Sequence, residues 1–212
     1  MKLVSTILAT SIAVLGSSQV MAYEAGDIMI KAGVINITPK DDNLKGRSST
    51  LNADVTIQAK GDTQLGLTAT YMVSPQVGIE LLAATPFKHK IEVNGATAGT
   101  TKHLPPTFTA QYYPMDPSSA IQPYVGAGVN MTFFFDEAGI VKGDSLGSLS
   151  DSIGWSVSAG INYDIDDKFI ANLGVWYMDI NTTLDDAEKI GLDEDEVEID
   201  PIVVMAGVGY KF

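Results

Sequence analysis

The sequence predicts an all-β chain, an eight-stranded antiparallel transmembrane β-barrel with short turns at one end and long loops at the other. Three observations predict it. Long stretches alternate strictly between an oily face and a small or polar face, which is the period of a strand. The connections between these stretches alternate long and short. After residue 22 no apolar run approaches the roughly 18 to 20 residues of a transmembrane helix, so any spanning falls to strands.

Residues 1–22 read as a signal peptide and residues 23–212 as the barrel. Lys2 supplies a short positive region, Leu3 to Leu15 an apolar core, and Val20-Met21-Ala22 a small-residue cleavage site. Cleavage after Ala22 leaves Tyr23 first. An uncleaved anchor is the rival reading, but Ser5, Thr6, Thr10, Ser11, Ser17, Ser18 and Gln19 make it too polar to span.

Eight strands are expected, at Asp27 to Ile37, Thr63 to Met72, Val77 to Phe87, Leu104 to Tyr113, Gln122 to Phe135, Gly154 to Tyr163, Phe169 to Ile180 and Asp200 to Phe212. Leu65, Leu67, Ala69 and Tyr71 share one parity, which reaches back through Val55, Ile57 and Ala59. Val125 to Phe135, Trp155 to Tyr163 and Ile202 to Phe212 repeat the pattern, with Gly, Ser, Thr and Asn between the oily residues. A soluble sandwich would carry charge on its second face. Small neutral residues there suit a narrow bore, with the oily face towards lipid. The tight connections, Val73 to Gln76, Pro114 to Ile121 and Asp164 to Lys168, carry turn residues. Both termini fall on their side, so the long loops face outwards from the cell.

Composition removes other classes. Charged residues are 18% and hydrophobic ones 45%, too oily for disorder. A net charge of −13 excludes a phosphate-neutralising nucleic-acid binder. Without cysteine and with two histidines, no metal centre or other cofactor is expected. Catalysis is not expected either, because Ser48, Ser49 and Ser145 sit in no glycine-flanked nucleophile motif and no spacing links them to His89 or His103.

Four blocks carry a specific resemblance: TQLGLTATYMVSPQVGIELLAATPFKHKI (63–91), HLPPTFTAQYY (103–113), PYVGAGVNMTFFFDE (123–137) and DPIVVMAGVGYKF (200–212). Together they resemble the OmpW family of small outer-membrane barrels, over essentially the whole chain from Tyr23. The resemblance implies an eight-stranded barrel with a largely apolar internal channel, linked to passage of small hydrophobic molecules, alkane import being one instance. The ending through Tyr210 and Phe212 is similar to the signal that barrel-assembly machinery recognises. Other expected partners are membrane lipid and lipopolysaccharide.

Parity sends Lys31, Gln64, Glu80, Gln111, Asn130, Asn162, Asn172 and Lys211 inward, with Val203. It also sends inward the apolar and aromatic groups expected to line a solute path: Leu82, Tyr113, Tyr124, Phe134, Trp176, Met178 and Met205. Eight strands leave a bore that side chains fill or that holds one small ligand, so a packed interior stays open as an alternative. Ring-bearing residues near strand ends, Tyr71, Tyr112, Phe133, Phe135, Tyr163, Phe169, Tyr177 and Tyr210, are expected to form interfacial girdles.

A hairpin centred on Gly95 places Pro86 opposite Leu104, beside Pro105 and Pro106. Three prolines at one level remove ladder donors, which either opens a side exit from bore to lipid or merely ends the strands. The same register brings His89 near His103 as a solvated rim pair, and Asp185 to Asp200 forms an acidic outer loop. The functional expectation is a narrow apolar channel or binding site for passive uptake of small hydrophobic molecules. The alternative is a non-transporting structural, receptor or adhesion barrel acting through its outer loops. An apolar through-path favours the first, and a bore blocked by a Lys31–Glu80 ion pair favours the second.

Overall fold

The computed structural model of the protein describes residues 22–41, 43–49, 52–138, 149–184 and 196–212. The expected leader up to residue 21 and most of the acidic run lie outside the described residues. Among the described residues, the helix-free chain runs β1 (Ile28–Thr38), β2 (Leu44–Ser48), β3 (Ala53–Ala59), β4 (Asp62–Ser74), β5 (Val77–Ala84), β6 (Phe87–Val93) and β7 (Ala96–Leu104). It continues through β8 (Thr107–Tyr112), β9 (Ile121–Ala138), β10 (Ser152–Asp164), β11 (Phe169–Met178), β12 (Asn181–Thr183), β13 (Glu196–Glu198) and β14 (Ile202–Lys211).

Eight of these form a closed antiparallel ring in the order β1, β4, β5, β8, β9, β10, β11, β14. The seam joins first strand to last, from Met29 opposite Lys211 to Thr38 opposite Ile202. From the turn side up to Leu82 and Thr107, closure leaves no sheet edge, the condition that lipid imposes on strands. The tight turns share one rim with the termini, where Tyr23 N donates to Pro117 O (3.0 Å) and Phe212 N to Ile28 O (2.9 Å). Local side chains build these turns: Asp166 Oδ1 accepts from Lys168 N and Phe169 N, and Asp116 Oδ1 from Ser118 N. Beyond the opposite rim, β2, β3, β6 and β7 extend the wall outward. At the tip of β6–β7, Asn94 and Gly95 have φ of 49° and 80°, the left-handed pair that a two-residue hairpin turn demands.

The oily face points out. Leu65 is 67% and Val208 63% exposed, while their sequence neighbours are buried or half-buried, the inverse of a water-soluble protein. Along β10 the exterior reads Trp155, Val157, Ala159, Ile161, Tyr163, an apolar stretch of ~27 Å along the strand between two rings of interfacial type. Trp155 packs against Tyr177 at 5.4 Å at one end, and Phe169 against Tyr210 at 5.4 Å at the other.

Two expectations about the outer extension need correction. The oily parity of β4 does not continue into β3, because the strand breaks at Lys60–Gly61 and Val55 and Ile57 turn into the core. The expected third strand through Phe87 is likewise broken at Thr85–Pro86. Register sums run 189 for β5 on β8 (Leu82 opposite Thr107) but 190 for β6 on β7 (Phe87 opposite His103). That extra residue acts as a bulge and moves the inward parity from even to odd numbers, turning Phe87, His89 and Ile91 inside.

Candidate functional site

The bore has two halves of different chemistry. Its periplasmic half is polar. Lys31 Nζ donates to Glu80 Oε2 at 2.8 Å, both side chains fully buried. Thr70 Oγ1 donates to the same oxygen (3.1 Å), and Gln111 Nε2 to Glu80 Oε1 (2.7 Å). The Tyr113 hydroxyl donates to Gln111 Oε1 at 2.7 Å, and Lys31 Nζ lies 5.4 Å over the Tyr124 ring. Such a pair persists away from water only with further partners, which here are Thr70 and Gln111 for the Glu80 oxygens and the Tyr124 ring for the Lys31 ammonium.

Nearer the periplasmic rim, Tyr23 inserts its ring into the barrel mouth, 1% exposed. Its hydroxyl donates to Asp164 Oδ1 (3.3 Å) and accepts from Asn162 Nδ2 (3.2 Å), and Lys211 Nζ stands 5.0 Å over the ring. Asn172 Nδ2 links Asn162 Oδ1 (2.8 Å) with the Tyr124 hydroxyl (3.3 Å). Sequence reasoning missed Tyr23, because it precedes every strand and no alternation marks it.

The outer half is mainly apolar, with Thr107, Asn130 and Thr132 hydrogen-bonded to one another beside Met178. Leu82, Trp176, Met178, Val203 and Met205 meet Leu44, Val55, Ile57, Phe87 and Ile91 of the extension in one buried cluster. Ile180, Leu184, Val197 and Ile199 pack on the other side. The large rings fit because glycines face them: a Cβ on Gly174 would stand 2.5 Å from Trp176, and one on Gly160 2.3 Å from the Tyr124 hydroxyl.

The seven residues expected to line one path therefore divide. Leu82, Trp176, Met178 and Met205 belong to the outer cluster, with Phe134 half-buried against it. Tyr113 and Tyr124 belong to the polar half, hydrogen-bonded through their hydroxyls. All the polar residues expected inside are buried except Gln64, which is half-buried beside Asp62.

At the level of the outer cluster the wall is incomplete. The β5–β8 ladder ends at Leu82 opposite Thr107, and the β6–β7 ladder begins at Phe87 opposite His103. No ladder pair joins residues 83–86 to 104–106. Each side is instead tied to its other neighbour: Thr85 N donates to Leu65 O (3.0 Å), while Pro106 O accepts from Met131 N (3.0 Å). Pro105 O accepts from Thr107 Oγ1 (3.0 Å) and Asn130 Nδ2 (3.3 Å).

The histidine pair is not a solvated rim pair. His89 (1% exposed) and His103 (0%) are stacked at 4.6 Å inside the extension, with Phe87 and Phe134 as ring neighbours. The bulge at Thr85–Pro86 turned His89 inward, while His103 keeps the odd inward parity of Thr107 and Gln111. Burial, then the neighbouring imidazole, holds His103 down to about 3, and burial likewise lowers His89. His89 Nδ1 meets the Lys60 carbonyl, so it carries the proton. Among the described residues no group of three or more His, Asp or Glu is placed to hold a metal ion.

At the chain end, Tyr210 lies opposite Ile30 and packs edge-on to Phe212 at 4.6 Å, with Phe212 exposed at the lipid-facing rim.

Comparison with known proteins agrees with this architecture. The profile of the OmpW family matches residues 24–212. Outer membrane protein W of Vibrio cholerae is 41% identical over 213 residues, covering 95% of each chain, and that of Escherichia coli K12 is 41% identical over 212 residues, covering 98% of each. The crystal structure of OprG from Pseudomonas aeruginosa superposes with a TM-score of 0.78 at 38% identity, covering 91% of this chain and 99% of that one. Closed ring, outward oily face and family match converge on one statement: the chain is an outer-membrane β-barrel and belongs to the OmpW family.

Proposed function

We propose that the protein is a passive route for small hydrophobic molecules, which enter the apolar outer half of the bore and leave sideways at the seam beside Pro86, Pro105 and Pro106. The observation that carries this reading is the split bore. Trp176, Met178 and Leu82 offer an oily solute a dry surface, whereas the Lys31–Glu80 network beneath them offers none. Crossing that network would leave buried charges without partners, at several kcal/mol. The gap between residues 83–86 and 104–106 lies beside the outer cluster and has no ladder to break, so sideways release disrupts fewer bonds.

Liposomes carrying the barrel take up an alkane probe faster than protein-free ones, and Trp176→Ala alters that rate. Pro105→Thr with Pro106→Thr restores ladder donors and lowers the flux. Undiminished flux from a folded double variant removes the sideways route.

One observation favours a second reading. The Lys31–Glu80 pair closes the bore below, as in a non-transporting barrel that acts through its outer loops as a receptor or adhesion surface. Equal probe uptake with and without the barrel selects it. In either case Tyr210 and Phe212, on the last strand beside the closing seam, are the proposed assembly-machinery signal, supported by their exposure at the rim.

A further inference from the structure

The outer face of the extension carries a charge pattern that neither solute passage nor folding explains. On β6 the inward residues Phe87, His89 and Ile91 are buried, which sets Lys88 and Lys90 on the outside. Lys88 stands directly opposite Lys102 on β7. Like charges in that position weaken a strand pair. Lys60 adjoins Lys90 on the other side, its N–H donating to Lys90 O at 2.9 Å. Four of the chain's 13 Lys and Arg thus share one small face of a protein whose net charge is −13.

Three carboxylates stand at this face, one of which, Asp62 Oδ2, accepts from Lys88 N at 2.8 Å, while the other two form ion pairs. Lys60 Nζ pairs with Glu92 Oε2 at 3.0 Å, and Lys102 Nζ with Asp136 Oδ2 at 2.9 Å. Asp136 has a left-handed backbone, φ 55°. Lys88 and Lys90, both exposed, hold no ion pair with the described residues.

The height of the face in the membrane is fixed by its neighbours. Lys102 lies opposite Phe135 on β9, and two residues towards the membrane Leu104 lies opposite Phe133, which is exposed to lipid. Lys88 and Lys102 therefore stand ~7 Å along the strand from the last lipid-facing ring, with Lys90, opposite Thr100, two residues farther out. On the outer rim this is the level of head groups, where a lysine stem lies on acyl chains and its tip reaches up.

We propose that Lys88 and Lys90, flanked by Lys60 and Lys102, bind the phosphates of a glycolipid in the outer leaflet of the outer membrane. A phosphate lying between Lys88 and Lys102 cancels their repulsion, and its acyl chains run down the apolar band beside Phe108 and Phe133. The exposed lysines approach as point charges, so salt weakens the contact.

The full barrel, in nanodiscs containing lipid A or lipid A stripped of its phosphates, tests this by native mass spectrometry of retained lipid. Wild type retains the phosphorylated form, loses it on dephosphorylation and releases it as salt rises. Lys88→Gln with Lys90→Gln lowers retention roughly tenfold, while Lys168→Gln at the opposite rim leaves it unchanged. The heat-induced shift in electrophoretic mobility checks that each variant is folded. Retention that ignores the phosphates, that survives in the folded double variant, or that is abolished by a chelator alone overturns the proposal. The phosphate comparison uses wild type, so it decides even if the variant fails to fold.

Discussion

His103 sits in an environment far from the ordinary one of an imidazole. Its folded pKa, about 3, lies below the unfolded value near 6.5, so the unfolded chain binds more protons between those limits. Stability is therefore complete above pH ~6.5 and declines as pH falls towards 3, by up to about 1.4 kcal/mol per unit. His89 shifts the same way and adds to the slope. The cost falls on the wall extension, so hydrogen exchange across β6–β7 accelerates at pH 5 relative to pH 7. His103→Phe keeps the ring stack and flattens the dependence, and an equally steep acid response in that variant shows the sensitivity to reside elsewhere. Neither the burial nor the pKa was legible in the sequence. The register sum of 190 was legible and brings His89 and His103 together, but the face that His89 takes depends on a one-residue bulge that leaves no mark in the alternation.

At the scale of elements, long strands were legible and their interruptions were not. β9, β10, β11 and β14 pair as their parity predicts, because a slip of one residue would move Leu173 or Val204 from lipid into the bore. The breaks at Lys60–Gly61 and Thr85–Pro86 fall on neighbouring strands at different heights, since Lys60 N meets Lys90 O and Thr85 N meets Leu65 O. Both β3–β6 and β4–β5 keep a register sum of 150, so pairing survives while the faces exchange. A sequence pattern reads faces, and it misassigned Val55 and Ile57 for that reason. Between β10 and β11, Gly160 lies opposite Gly174, and this glycine pair makes room for the Tyr124 and Trp176 rings. Gly174→Ala forces a Cβ into Trp176 and costs about 1 to 3 kcal/mol by overpacking. Urea titration in detergent measures it, and an unchanged midpoint shows that Trp176 rotates away freely.

For the molecule as a whole, the proposed passage turns on the split bore. Parity correctly sent Lys31 and Glu80 inward, yet only coordinates show them bonded at 2.8 Å, since facing inward does not specify height or partner. The barrel accordingly carries little ion current in a planar bilayer. Replacing both as Lys31→Ser and Glu80→Ser leaves no stranded charge and raises conductance several-fold. A current that stays low in the folded double variant places the closure at Tyr23 instead.

The seam between β1 and β14 has a kinetic consequence. Ile30 and Tyr210 are neighbours in space but lie on the first and last strands of the barrel, so the loop they close is nearly the largest the barrel allows, which slows folding. Before that closure, every nascent form presents two adhesive borders to any other copy nearby. A polypeptide cut short before Ile202 would retain them permanently, and its fate is clumping in the periplasm rather than a smaller pore.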